Sequence, residues 1–146
     1  MRKIVAVLGL AAMVASASFA MAASDLAKQR EADMKAIGGA VKTSAGFATD
    51  KVPYDAAAAK AAMETIAAKA TDFPTLFPAG SETASKGASP KIWENKADFE
   101  AHAAKLASDA KAAATAADAG LDAFKVAFGT VTANCKSCHQ LYRLSD

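Results

Sequence analysis

The chain has 146 residues, 17 basic and 15 acidic, with a formal net charge of +2. That length fits one domain, and so small an excess of cations excludes a binder of nucleic acid or anionic membrane working through bulk charge.

The opening MRKIVAVLGLAAMVASASFAMAA is positive at Arg2 and Lys3, apolar from Ile4 to Val14, and small-sided up to Ala20-Met21-Ala22. The apolar run is well short of the roughly 20 residues that span a bilayer. It reads as a secretory signal peptide over residues 1–22, cut after Ala22, rather than an uncleaved anchor. The domain is then residues 23–146, exported, with a bacterial periplasm as the expected compartment. Without Arg2 and Lys3 the basic residues equal the 15 acidic ones, so the apparent basic balance belongs to the leader. No later segment is apolar enough for stable membrane insertion.

Alanine is abundant and β-branched runs are absent, which predicts helix throughout. The first helix starts near Ser24-Asp25 and puts Leu26, Arg30, Met34, Ile37 and Val41 on one face. Gly46 and the stretch to Pro53 end it. Asp55 caps a second helix running to about Ala70, with Ala59, Met63, Ile66 and Ala70 inward. A proline- and glycine-rich connection, TDFPTLFPAGSETASKGASP, follows; its length places it on the outside of the domain, pinned by Phe73, Leu76 and Phe77. A third helix is expected from Lys91 to Ala119, between Pro90 and Gly120, with Ile92, Trp93, Phe99, Ala103 and Leu106 facing in. The fourth runs from Leu121 to about Leu144. Leu121, Phe124, Phe128, Val131, Cys135, Cys138 and Tyr142 alternate by three and four along it, a heptad seam. The fold class is therefore all-α, an antiparallel four-helix bundle. Its alanine-rich seams bring helices close, or leave room for something larger than a side chain.

Both thiols of the chain lie in Cys135-Lys136-Ser137-Cys138-His139. A structural zinc site takes about four protein ligands, and only His102 is left to add to this cluster. A thioredoxin-like pair sits where a strand meets a helix, and no strand is expected here. An i,i+3 disulfide inside a helix is geometrically awkward. C-x-x-C-H is instead the signature of covalent haem c. Each thiol adds to one porphyrin vinyl, the two-residue spacer matches the vinyl separation, and the histidine reaches the iron.

A C-terminal C-x-x-C-H on the fourth helix of an exported bundle resembles the group II c-type cytochromes, the cytochrome c′ family, over essentially the whole mature chain. Arg30 with Met34, Pro53-Tyr54-Asp55, Pro90-Lys91-Ile92-Trp93 and Arg143 after His139 agree with it. The resemblance implies haem near one end of the bundle, held by Cys135 and Cys138, with His139 as proximal ligand. Met34 stands at the position that binds iron in low-spin members; READMKAIGG, KIWENK, FPAG and CHQLYR look most like those. In the five-coordinate members that position is only packing, and methionines commonly fill cores.

Arg143 resembles the family's basic residue beside the proximal ligand, or is an ordinary cation at a helix end. Arg30 is a haem-propionate partner or a solvated residue. Met63 is expected as packing and His102 as exposed. No nucleophile motif, paired-carboxylate pattern or phosphate loop marks an enzyme. The expected function is a soluble carrier serving redox partner proteins. The alternative is a five-coordinate protein binding nitric oxide or carbon monoxide. The resemblance also implies a possible homodimer through the first two helices.

Overall fold

A computed structural model describes the backbone of residues 6–144 and the side chains of residues 23–144. Among the described residues five helices follow one another: α1 (Ala6–Ala48), α2 (Ala56–Asp72), α3 (Lys91–Glu94), α4 (Lys96–Asp118) and α5 (Leu121–Tyr142), with a 3₁₀ turn at Phe73–Leu76. The long helices pack as a bundle, with α2 against α4, α4 against α5 and α1 against α2 the principal contacts.

Two expected boundaries move. No cap forms at Ser24-Asp25, because α1 passes straight through them from Ala6. The alanine, leucine and methionine that precede them in the sequence are good helix formers, so nothing local stops the helix there. The expected leader falls on Met1–Val5, outside the described residues, and on residues whose side chains are likewise outside them. The expected third helix is two helices, broken at Asn95 with φ −127° and ψ 50°. The break follows from tertiary bonds to the 71–90 connection. The Trp93 indole donates to Pro78 O at 3.0 Å, and the Lys96 ammonium donates to Pro74 O at 2.9 Å and Phe77 O at 3.0 Å.

The other ends obey local chemistry. Asp55 caps α2 by accepting from the Ala58 amide at 3.0 Å. Gly120 adopts φ +104° between α4 and α5, a conformation other residues resist. The Tyr54 hydroxyl donates to Ala117 O at 2.8 Å, which ties the α1–α2 link to the end of α4.

The core has two parts. Ala59, Ala62, Met63, Ile66 and Ala67 of α2 meet Ala110, Ala113, Ala114 and Ala117 of α4, joined by Ile37, Phe47, Phe124, Phe128 and Val131. Leu76, Phe77, Ile92, Phe99 and Tyr142 form a second cluster at the other end, against which Phe73, Trp93 and Cys138 pack. The long connection thus contributes to the interior, pinned by Leu76 and Phe77 as expected.

Candidate functional site

A cavity of about 560 Å³ opens where these two clusters meet. That lies within the roughly 300–1,000 Å³ of cofactor pockets. Its wall is mostly apolar. Met34 and Ile37 come from α1, Phe73, Phe77 and Ala88 from the connection, Phe99 and Leu106 from α4, and Cys135, Cys138 and His139 from α5. The heptad seam of α5 explains the last three: buried Val131 and Tyr142 hold the helix inward above and below the motif.

The two sulfurs are half-buried and one turn apart, and they form no disulfide. Burial pushes both thiols up, Cys138 to about 11, where Cys135 and Asp98 add to the effect. Before a haem is attached they are therefore neutral thiols, unlike the low-pKa thiolates of redox enzymes. His139 lines the cavity yet keeps an exposed edge. Burial, then the neighbouring Arg143, lowers its pKa, which favours the neutral imidazole a metal needs.

The motif is anchored from α4. The buried Asn134, immediately before Cys135, donates to Asp109 Oδ2 at 2.7 Å. Lys105 pairs with the same oxygen at 2.6 Å. Those bonds, from Lys105 first and then Asn134, hold the Asp109 carboxyl below the usual carboxylate range.

Arg30 does not lie on a solvated face. It is 4% exposed. Its Nε and Nη2 donate to Leu76 O at 3.0 and 2.9 Å, Nη2 to Ser81 Oγ at 2.8 Å, and Nη1 to Ser85 Oγ at 2.9 Å. The guanidinium sits 4.1 Å from the centroid of the Phe77 ring. Burial lowers its pKa, and Glu82 opposes that shift. Arg30 thus fastens the connection over the cavity it lines. Arg143 is exposed at the end of α5, also on the cavity wall, where its amide donates to His139 O at 3.1 Å and it bridges to Ala88. Met34 is half-buried on the wall, and Met63 is fully buried as packing.

The cytochrome c′ family model matches residues 25–143. The chain belongs to the cytochrome c′ family. A cytochrome c-556 of Agrobacterium fabrum is 46% identical over 117 residues, 80% of each chain. A solved cytochrome c′ of Rhodopseudomonas palustris superposes with a TM-score of 0.78 at 37% identity, over 84% of this chain and 98% of that one. The structure of a leucine-to-isoleucine variant of Alcaligenes xylosoxidans cytochrome c′, in complex with nitric oxide, matches at 0.76 and 30%, over 84% and 97%.

As a cytochrome of this family the chain carries one covalent haem c. The cavity fits it: an apolar chamber for the ring, two neutral thiols on one wall and an imidazole one residue beyond them. His102 departs from expectation. Instead of standing in solvent it is 22% exposed on the wall, 3.7 Å from Asp98 Oδ2 and packed edge-on to the Tyr142 ring. The Tyr142 hydroxyl donates to the same Asp98 oxygen. The signal was its spacing, since His102 falls between Phe99 and Leu106 on the inward stripe. No comparable signal marked Asn134 with Asp109, because their bond spans two helices.

Proposed function

We propose that this chain is a periplasmic electron carrier. Residues 1–22 are its leader, cut after Ala22. Cys135 and Cys138 would hold the haem through two thioether links, and His139 and Met34 would bind its iron. The bound haem supplies a one-electron couple. Met34 offers a soft, neutral thioether that favours the ferrous state and raises the potential. No catalytic step is needed. Redox proteins are the partners, and two copies pair through α1 and α2.

One observation carries the reading. Met34 lines the same cavity as the C-x-x-C-H motif, one turn after an arginine that is itself locked in place. Buried Arg30 and Ile37 on either side of Met34 support an inward-facing thioether.

The nitric oxide complex of a related cytochrome c′ favours the second reading, an open, five-coordinate site. The optical spectrum and carbon monoxide uptake separate the two. The carrier is low-spin and takes up carbon monoxide slowly, while Met34→Leu is high-spin and takes it up readily. If the unmutated protein is already high-spin and binds carbon monoxide readily, Met34 is packing and the gas-binding reading replaces the carrier.

A further inference from the structure

Alanine is the strongest helix former, so glycine in the interior of an alanine-rich helix calls for a reason. Gly38 and Gly39 stand side by side in α1, both exposed and both helical. A Cβ added at either meets no atom within 4 Å, and neither has the positive φ that other residues resist. Neither packing nor backbone conformation therefore requires glycine at these two positions. Gly46, farther along α1, differs: a Cβ there would stand 3.3 Å from Val52 Cγ2. Gly129 of α5 is also open, but it is alone and more than a turn before Asn134, where that helix begins to line the cavity.

The pair also marks a boundary. Among the described residues, α1 lines the cavity through Ala27, Arg30, Glu31, Met34 and Ile37, and nothing beyond the pair reaches it. Before the pair, Arg30 is fixed to the connection through Leu76 O. Beyond it, Ser44 and Phe47 are buried, Phe47 within the alanine-rich core. Two held stretches of one helix are thus joined by the two residues that resist bending least. Glycine gives up the most conformational freedom in a helix, so the backbone hydrogen bonds around an adjacent pair open at lower cost.

We propose that Gly38-Gly39 is a hinge in α1, and that bending there withdraws the Met34 side chain and opens the cavity to a small neutral ligand while the bundle stays folded. Met34 lies one turn before the hinge, on the stretch that also carries Arg30, so the arginine and the connection it holds move with the methionine. Such an opening is local, and a hinge needs only a few residues set apart from the chemistry. The proposal rests on the reading of Met34 as an axial ligand.

The test is amide hydrogen exchange of the haem-loaded protein, paired with stopped-flow uptake of carbon monoxide by its reduced form. In the native protein the amides of residues 38–43 exchange about ten-fold or more faster than those of residues 110–117 in α4. Gly38→Ala/Gly39→Ala slows both exchange at 38–43 and carbon monoxide uptake by about five-fold or more, since each glycine makes the helix about two- to five-fold easier to open. Gly129→Ala raises the urea midpoint but leaves both rates within about two-fold. Exchange at 38–43 unchanged in the double variant, or carbon monoxide uptake slowed equally by Gly129→Ala, overturns the hinge. So does a change in sedimentation with no change in exchange, which assigns the pair to close contact between two copies. A high-spin native protein removes the axial-ligand reading and the gate with it, whereas exchange at 38–43 as slow as at 110–117 in a low-spin protein removes the hinge alone.

Discussion

Arg30 shows how much one side chain can organise. Its fork satisfies Leu76 O and the hydroxyls of Ser81 and Ser85 while its plane lies on Phe77. Replacing it with leucine leaves those acceptors buried and unpaired, and is expected to cost about 2–4 kcal/mol, read from the urea midpoint. Arg30→Lys should recover little of this, because an ammonium cannot reproduce the fork. Tyr142 sets a pH limit. Desolvation, then its bond to Asp98, pushes its hydroxyl up to about 12. An unfolded tyrosine ionises near about 10. The folded state therefore holds this proton more tightly, and the associated stability is complete below about pH 10 and lost as pH rises to about 12. Urea midpoints at rising alkaline pH should fall across that window, and Tyr142→Phe should fall less.

The helices differ in what makes them stable. On α2 and α4, the facing residues are mostly alanine, with Ala59, Ala110, Ala113 and Ala117 all at 0% exposure. Small side chains let the two axes approach, so the seam tolerates no added volume. Ala110→Leu is expected to destabilise by about 1–3 kcal/mol, measured by thermal unfolding. On α5, large residues alternate along one seam, and the thiols take over its last turns. The break at Asn95 belongs to neither pattern. It comes from Trp93 and Lys96 reaching across to the connection, and Lys96 is buried enough there that its pKa is lowered despite Glu100.

Across the whole molecule, a dense alanine core at one end and an aromatic cluster at the other leave the cavity between them. The fold thereby places the C-x-x-C-H motif at the junction of two packed clusters, on the wall of the cavity they leave. Replacing Cys135 and Cys138 together with serine should preserve the bundle but leave the haem extractable into acidic organic solvent. Far-UV circular dichroism checks the first expectation and extraction the second. Haem extracted from the unmutated protein in the same way would refute attachment at these thiols.

The all-α class and the inward stripes of α2 and α5 were legible because helix period and alanine content are local properties. The C-x-x-C-H motif was legible for a related reason, since its spacing is contained within one turn of helix. The fate of Arg30, the place of His102 on the cavity wall and the break at Asn95 were not legible. Each depends on partners from other helices or the connection. Asn134 and Asp109 are 25 residues apart in the chain, yet 2.7 Å apart across α4 and α5. Periodicity specifies which face of a helix turns inward. Only packing decides what that face meets, because hydrogen bonds and burial join residues that the chain itself keeps apart.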